Sequence, residues 1–366
     1  MDKRVIDEML PYFIEFYGNA SSNHSFGVSA KKSIEKARAQ VAELINCNPD
    51  EIIFTSGATE SINLALKGYT ESKFCRGNHI ITAKTEHKAV LSTCEYLETK
   101  GYEVTYLDVN KNGLISINKL ENSIKENTSL IVIMYVNNET GVIQPIKEIG
   151  EIAKDNNITF FCDATQAMGK LKVDIEKDCI DMLCFSGHKL NGPKGIGVLF
   201  KRKKIEIVPL IHGGGQENGL RAGTYNTPLI VGLGKACEIV KNEMLENNIL
   251  FKDLNYYLKN SIRKFTSFKE ISHTKFRVNN IINLIIPNLD SDVFISKYRL
   301  LALSNGSACN SEIIEESHVI RAMLPDNNYQ NNFLRISFDR YSTKDDIDVF
   351  SEVLKNHLKK SYARKS

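Results

Sequence analysis

The chain has 366 residues, 42% of them hydrophobic and 25% charged, a composition typical of a soluble globular protein. Lysine and arginine number 47 against 44 acidic residues, and a net charge of +3 gives no reason to expect direct nucleic-acid binding. No apolar run approaches the ~18 residues of a membrane span, and the N-terminus lacks the apolar centre of a signal peptide. We therefore expect a cytoplasmic protein with no membrane partner.

Eight cysteines are spread along the chain, and no two form a Cys-x-x-Cys pair. This spacing argues against a zinc ribbon or a redox motif, so we expect no metal site. Cys162 and Cys184 lie in apolar runs and are predicted to be core residues. Free thiols in a reducing compartment are the simplest account.

Strand and helix patterns alternate through the first two thirds of the chain. Apolar spacing predicts a helix over 29–47, with Ser29 as its N-cap. Strands are predicted at 51–55, 79–83, 103–107, 130–136, 159–163, 181–186 and 196–200, and helices at 60–67, 88–100, 117–127 and 146–156. Several strands are continuously apolar, as expected for a mostly parallel sheet buried on both faces. We predict an α/β large domain over 1–244.

The last third of the chain has a different order of elements. A long helix is predicted from Gly234 towards Phe265, followed by strands at 281–286, 301–304 and 333–338 and a helix at 292–298. We interpret residues 245–366 as a smaller α+β domain.

A lysine and an aspartate stand at the ends of two successive predicted strands. Asp163 closes the run 159–163, and Lys189 follows the run 181–186 in Ser186-Gly-His188-Lys189. Pyridoxal phosphate chemistry needs such a pair, because an amine must bind the cofactor aldehyde and a carboxylate must keep the pyridine nitrogen protonated. Ser186 and His188 supply donors for the phosphate. The alternative is a solvent-facing lysine and an aspartate that pairs with a nearby cation.

Polar residues at other strand ends each have a functional and a purely structural interpretation. Gly57-Ala58-Thr59 opens a helix, and its backbone N–H groups suit a phosphate, although such turns are common. His87 follows another strand and is either a ring stacked on the cofactor or a helix cap. Asn138 is either an amide for a cofactor or substrate oxygen or a turn former. Gln166, three residues beyond Asp163, is placed to reach the ring oxygen.

Two further segments have unusual compositions. Residues 212–224 form a glycine-rich loop with polar donors, interpreted as an anion-contacting loop or a surface connection. Cys309 is surrounded by small polar residues, so it is not a core residue but either a nucleophilic thiol or an incidental loop cysteine. Arg335 lies in a strand-like run, where a substrate carboxylate would pair with its guanidinium.

Together these stretches resemble the cysteine desulfurases of the class-V aminotransferase group, which have fold type I of the pyridoxal-phosphate enzymes. The resemblance covers nearly the whole chain and rests on residues 17–24, 54–61, 85–89, 136–139, 163–166, 185–195, 212–216, 221–224 and 306–309. The surroundings of Cys309 are similar to those in the iron–sulfur-assembly type subgroup.

The resemblance implies the chemistry of the site. It makes Lys189 the Schiff-base lysine, Asp163 the partner of the pyridinium nitrogen, and His87 the stacked ring. L-Cysteine would be converted to L-alanine, with the sulfur held as a persulfide on Cys309 and passed to an acceptor, either a scaffold or a thiolation protein.

The same resemblance implies the binding residues. The phosphate would be held by Ala58, Thr59, Ser186 and His188, with Thr224 reaching over from the second subunit of a homodimer. Gln166 would hold the ring oxygen, Asn138 would contact cofactor and substrate, and Arg335 would take the substrate carboxylate.

The sequence also departs from the family pattern. The family begins with a short strand, Leu-Asp-Asn-Ala-Ala-Thr-Thr, upstream of the position of Met1, and we expect the true start to lie further upstream because the other motifs are intact. Asn305, Asn310 and Asp339 are smaller departures. The alternatives are a selenocysteine lyase, an aminotransferase that does not use Cys309, and an impaired docking partner for sulfur carriers.

Overall fold

A computed structural model describes residues 1–272, 275–305, 317–325 and 332–363, and the chain divides into two compact units. Unit 1 comprises Met1–Leu107, Ser116–Val136 and Gln144–Met244, and unit 2 comprises Asp108–Ile115, Asn137–Ile143 and Leu245–Ser366. The boundary at 244/245 coincides with the expected one, but two inner segments join unit 2. Val142 forms a β-bridge with Arg277, and Val109 packs against the apolar cluster that contains Val319 and Phe333. That each unit is an independent domain stays a prediction.

Unit 1 is built on a seven-stranded sheet. Its strands are β1 (Ile52–Thr55), β2 (His79–Ala83), β3 (Glu103–Leu107), β4 (Thr128–Val132), β5 (Thr159–Asp163), β6 (Met182–Ser186) and β7 (Gly197–Lys201). Its helices are α1 (Lys3–Met9), α2 (Pro11–Ile14), α3 (Ser25–Ile45), α4 (Ala58–Thr70), α5 (Lys88–Glu98), α6 (Ile117–Asn122), α7 (Ile146–Asp155) and the first part of α8 (Thr227–Arg263).

The strand directions place several strand ends at one edge of this sheet. The order is β1-β7-β6-β5-β4-β2-β3, and β2 through β6 pair in parallel. Strand β7 is antiparallel to both β1 and β6, so β1 runs in the same direction as β6. The carboxyl ends of β1, β2, β4, β5 and β6 therefore share an edge, which is where open α/β sheets bind ligands. The predicted α/β class is confirmed.

Burial explains why these strands form the centre of unit 1. Strands β2, β5 and β6 are buried at every position, as the continuous apolar runs predicted. Helices α4 and α5 cover one face with Ile62, Leu66 and Val90, which belong to one apolar cluster with Phe161 and Leu199.

Unit 2 has its own sheet and its own apolar core. Strands β8 (Lys269–Glu270), β9 (Ile281–Ile285) and β10 (Phe333–Ser337) are antiparallel, and the described helices are the rest of α8, α9 (Ser291–Lys297), α10 (His318–Met323) and α11 (Lys344–Ala363). Leu258, Leu284, Phe294, Leu334 and Leu354 lie in its core. Across the described ranges, no helix is long and apolar enough to cross a membrane.

Several sequence predictions about local structure are wrong. The strand predicted at 130–136 ends at Val132, the helix predicted at 117–127 ends at Asn122, and the helix predicted from Gly234 begins at Thr227. Helix α3 begins at Ser25 rather than near Ser29, because the His24 side chain caps it by accepting a hydrogen bond from the Gly27 N–H. The segment 301–304 is not a strand. A 3₁₀ turn ends at Leu301, Ala302 adopts a left-handed conformation, and only Ser304 pairs with Arg335 as an isolated bridge.

Gly197 sits between the two strands whose ends matter most. It is the register partner of Thr55 on β1 and of Ser186 on β6. A Cβ atom at this position would lie 2.5 Å from the Gly57 Cα, closer than any side chain tolerates. Only glycine therefore lets the turn after β1 approach the end of β6.

We expect Gly197→Ala to lower the free energy of unfolding by about 1–3 kcal/mol, because the backbone at Gly57 must shift to make room. Chemical denaturation followed by circular dichroism measures the change. Gly215→Ala is the matched control, since a Cβ there meets no atom within 4 Å and the residue has a φ of −81°. Equal effects of the two substitutions would contradict the assigned crowding.

Candidate active site

The turn between β1 and α4 has the form of an anion cradle. Helix α4 begins at Ala58, and its N-cap residue Gly57 provides no side-chain cap, so first-turn N–H groups remain for a ligand. The Ala58 N–H donates to Ser186 Oγ at 2.8 Å, and the Thr59 side chain is exposed. A pocket of about 340 Å³ is lined by residues 56–60 together with Ser186 and His188. The structure thus brings together four of the residues predicted to hold a phosphate.

A single turn after β6 carries the predicted lysine. Ser186 closes the strand and is buried, and a 3₁₀ turn over Gly187–Leu190 exposes His188 and Lys189. Partial burial and the positive charges of Lys189 and Lys194 lower the pKa of His188. The imidazole is therefore held towards its neutral form next to two cationic groups.

Asp163 ends β5, the strand that pairs directly with β6. It is 6% exposed, and its Oδ1 accepts a hydrogen bond from the Thr165 N–H at 2.9 Å. Among the residues that the structure describes, no lysine or arginine forms an ion pair with it. A buried carboxylate without a cation is costly, so this position suits a cationic ligand group. Gln166 is half-buried in the turn that follows.

His87 is exposed at the start of α5 and caps that helix. Its Nδ1 accepts a hydrogen bond from the Ala89 N–H at 3.1 Å, so the capping reading is confirmed. Because Nδ1 accepts, the proton of the neutral ring is on Nε2. The cap therefore fixes both the ring and its tautomer while leaving Nε2 available.

Thr224 lies in the loop 212–224, and its side chain is exposed. This loop belongs to unit 1 and is tied to the cradle, because Arg221 Nε donates to Glu60 Oε1 at 2.9 Å. Glu60 in turn accepts from the Ser56 N–H at 2.8 Å. The loop is thus fastened to the helix that carries Thr59.

The two residues predicted to hold a substrate carboxylate both lie in unit 2. Arg335 is on β10, and its Nη1 donates to the Asn138 carbonyl at 3.2 Å. The neighbouring Asn137 is the turn former, because its Oδ1 accepts from the Glu139 and Thr140 N–H groups. The Asn138 amide takes no part in that turn. The structure therefore separates the roles of two adjacent asparagines.

Comparison with known proteins agrees with this arrangement. Residues 1–350 match the family model described as Aminotransferase class-V. The chain is 44% identical over 363 residues to the cysteine desulfurase IscS of Ehrlichia chaffeensis, covering 98% of this chain and 88% of that protein. The chain belongs to the class-V aminotransferase family, among its cysteine desulfurases.

Two solved structures extend the match to the fold. A NifS-like protein superimposes with a TM-score of 0.92 at 37% identity and covers 98% of this chain and 96% of its own. SspA in complex with cysteine gives a TM-score of 0.82 at 38% identity, with coverage of 94% and 97%. The expected fold type I is thereby confirmed for this desulfurase.

Cysteine desulfurases are pyridoxal-phosphate enzymes, and the site fits that group. The uncapped start of α4 suits the phosphate. Asp163 is buried and has no cationic partner among the described residues, so it suits the pyridine nitrogen. Lys189 lies in the 3₁₀ turn directly after Ser186, next to His188, which lines the pocket. The residues present therefore meet the needs of both ends of the cofactor.

The catalytic cysteine expected for a desulfurase, Cys309, lies outside the described residues, which omit 306–316. The other seven cysteines are free. Cys162 and Cys184 are buried core residues, as predicted, and burial raises their pKa well above the ordinary value. Burial likewise raises the pKa of Cys47 and Cys94 to about 12. None of these four is a thiolate near neutral pH.

Sequence reasoning missed three groups around the desulfurase site. Burial and the positive charge of Lys189 lower the pKa of Lys170 to about 8, so Lys170 is a second lysine close enough to feel the charge of Lys189. Glu86 is fully buried beside His87, and its Oε1 accepts from the Met134 N–H at 2.7 Å. Glu217 is buried in the loop 212–224. Only the neighbour relation of Glu86 and His87 was visible in the sequence.

We expect Glu86 to make unfolding depend on pH. Burial and the charge of Asp163 raise its pKa well above 4.5, so above that pH the folded protein holds a proton that the unfolded chain releases. Its contribution to stability is full below pH 4.5 and is lost as pH rises through the native pKa. The stability difference between wild type and Glu86→Gln should therefore fall between pH 5 and pH 8, by at most about 1.4 kcal/mol per pH unit.

Denaturant unfolding of the cofactor-free protein at several pH values measures this difference. Glu95→Gln, which removes an exposed carboxylate from α5, is the control. A difference for Glu86→Gln that stays constant from pH 5 to pH 8 would show that Glu86 is ionised in the folded state.

Proposed function

We propose that this protein converts L-cysteine to L-alanine and holds the released sulfur as a persulfide on Cys309. The observation that carries the proposal is the shared sheet edge, where the cradle at Ala58 bonds to Ser186 one turn before Lys189, with Asp163 on the adjacent strand. The presence of cysteine in the SspA complex supports the substrate. The reaction balances, because one thiol and L-cysteine give one persulfide and L-alanine.

We assign the cofactor contacts to the following residues. Ala58, Thr59, Ser186 and His188 would hold the phosphate, Asp163 the ring nitrogen, Gln166 the ring oxygen, and Lys189 the aldehyde carbon. Asn138 would contact the cofactor as well as the substrate. When bound, pyridoxal phosphate supplies an electron sink that makes the Cα proton of the substrate acidic.

The chain's own groups then handle protons and charge. The Lys189 amine takes the Cα proton of cysteine and returns a proton to the product. His87 Nε2 carries the proton of the capped ring and can donate it, because Nδ1 is engaged by Ala89. Arg335 and Asn138 bind the substrate carboxylate. The thiolate of Cys309 attacks the substrate sulfur, and the carbon–sulfur bond breaks.

Cys309→Ser should retain the cofactor absorbance and its change on adding cysteine, but its alanine formation should fall by at least about a hundredfold because no thiolate is left to accept sulfur. Alanine and sulfide are measured under reducing conditions. Cys179→Ser is the matched control, since Cys179 is a partly exposed thiol with no proposed role, and it should keep wild-type turnover. Undiminished sulfide release by Cys309→Ser would remove the thiol from the reaction.

We also propose that the protein passes its sulfur to an acceptor protein and works in a reducing compartment. A persulfide must be passed on, so the partner is a thiol-bearing scaffold or thiolation protein of the kind used in iron–sulfur cluster assembly. Free thiols in the described residues agree with a reducing compartment such as the cytoplasm.

We also infer that the protein is a homodimer in which Thr224 of each chain contacts the partner's phosphate. The support is a band of exposed apolar side chains near the N-terminus, Leu10, Phe13, Ile14, Tyr17 and Phe26. Contiguous exposed apolar residues mark interaction surfaces. We propose that a second copy of the chain covers these side chains.

Sedimentation equilibrium should give about twice the 41.3 kDa of one chain. Ile14→Lys should shift the protein towards the monomer, because it places a charge in the apolar band where Ile14 is 78% exposed. Leu245→Lys, at a residue 74% exposed on α8, is the control and should leave the mass unchanged. A monomeric wild type would overturn the dimer.

A further inference from the structure

A buried carboxylate in the loop 212–224 connects elements that are far apart in the sequence. Glu217 accepts two hydrogen bonds from Arg38 on α3, each 2.9 Å long, in a two-pronged ion pair. Its Oε2 also accepts from the Phe54 N–H on β1 at 3.0 Å. Both side chains are buried, at 2% and 8% exposure. The carboxylate is therefore fixed by three donors rather than by solvent.

Arg38 is itself held in place by β1. Its Nη1 donates to the Ile52 carbonyl at 2.7 Å, and the guanidinium lies 4.7 Å from the centre of the Phe54 ring. The ion pair thus contacts β1 at both Ile52 and Phe54. This strand leads directly into the cradle at Gly57, so a change at Glu217 is transmitted to the residues that precede the cradle.

The backbone around Glu217 is strained and needs this support. Glu217 and Asn218 have φ values of 47° and 56°, a left-handed conformation that side-chain-bearing residues rarely adopt. The stems of the loop are also joined to each other. The Tyr225 hydroxyl accepts from the Glu217 N–H at 2.9 Å, and Gln216 Oε1 accepts from the Gly223 N–H at 3.0 Å. The position of Thr224, between these two contacts, is thereby set by the stem that carries Glu217.

A second ion pair fastens the other side of the cradle. Arg221 of the loop bonds to Glu60 on the first turn of α4, and Glu60 accepts from the Ser56 N–H. Two carboxylates therefore hold the backbone next to the cradle. Glu217 accepts a hydrogen bond from Phe54 before Gly57, and Glu60 lies directly after Thr59 and accepts one from Ser56. These two ion pairs connect the loop that carries Thr224 to the elements on either side of the cradle.

We propose that Glu217, paired with Arg38, is a positioning residue for phosphate recognition, which aligns the cradle of its own chain and the Thr224 that this chain lends to its partner. The inference rests on the proposed function, because it assumes that the cradle and Thr224 bind the cofactor phosphate. Glu217 touches neither cofactor nor substrate in this role. Its loss should affect the phosphate end of the site and spare the ring end at Asp163 and Lys189.

The test compares two ligands that differ only in the phosphate. Cofactor-free protein is titrated with pyridoxal phosphate and with pyridoxal. The dissociation constant for pyridoxal divided by that for pyridoxal phosphate reports how strongly the phosphate is recognised. Glu217→Gln keeps the size of the side chain but weakens the tie, so this ratio should fall about tenfold or more while pyridoxal affinity stays unchanged. Glu238→Gln is the matched control, since Glu238 bonds Gln40 of α3 and Lys235 of α8 outside the loop, and it should leave the ratio at the wild-type value.

The outcomes separate the inference from the function on which it rests. Wild-type protein that does not prefer pyridoxal phosphate over pyridoxal would overturn the phosphate site itself. A wild-type preference that Glu217→Gln retains, or affinities for both ligands that fall equally, would overturn the positioning role alone. If Glu217→Gln does not fold, Tyr225→Phe removes the hydrogen bond to the Glu217 backbone instead, and an unchanged ratio in that variant would equally overturn the role.

Discussion

The hydrogen bond from the Ala58 N–H to Ser186 Oγ is the contact on which the rest of the site depends. It joins the turn after β1 to the end of β6, although β7 lies between these strands. This contact is possible because β7 begins with Gly197, which pairs with Thr55 on one side and with Ser186 on the other. A cradle and an amine-bearing turn that are remote in sequence thereby become two walls of one pocket.

The acidic side chains around this contact differ in how deeply they are buried and in whether an arginine pairs with them. In the part of the chain that the structure describes, buried Asp163 has no cationic partner, whereas Glu60 and Glu217 each form an ion pair with an arginine. Glu86 is buried and held towards its protonated form. Asp163 therefore differs from its acidic neighbours in having a buried carboxyl group without an arginine partner, and this environment suits it to a cationic ring nitrogen.

The order of the elements and the site motifs could be predicted from the sequence, because buried parallel strands are continuously apolar and polar motifs follow their ends. The exact ends of elements could not. A histidine cap displaced the start of α3 from the expected serine, and a left-handed Ala302 interrupted the expected strand at 301–304. Adjacent asparagines at 137 and 138 look equivalent in the sequence, and only the observed turn distinguishes them.

Contacts between side chains that are distant in the sequence could not be predicted at all. Arg38 and Glu217 are 179 positions apart, and nothing in either local sequence points to the other. Lys170 likewise gave no periodic or motif signal, since its proximity to Lys189 arises from tertiary packing. The family resemblance supplied the roles of the ligand-facing residues but not of the charges that support them.

The buried thiols described above have a consequence for the handling of sulfur. A persulfide migrates by attack of a thiolate, and the interior cysteines at 94, 162, 184 and 237 are kept protonated by their apolar surroundings. They cannot intercept a sulfane atom on its way out of the protein. A chain with eight cysteines can therefore pass on a sulfur atom without losing it to its buried thiols.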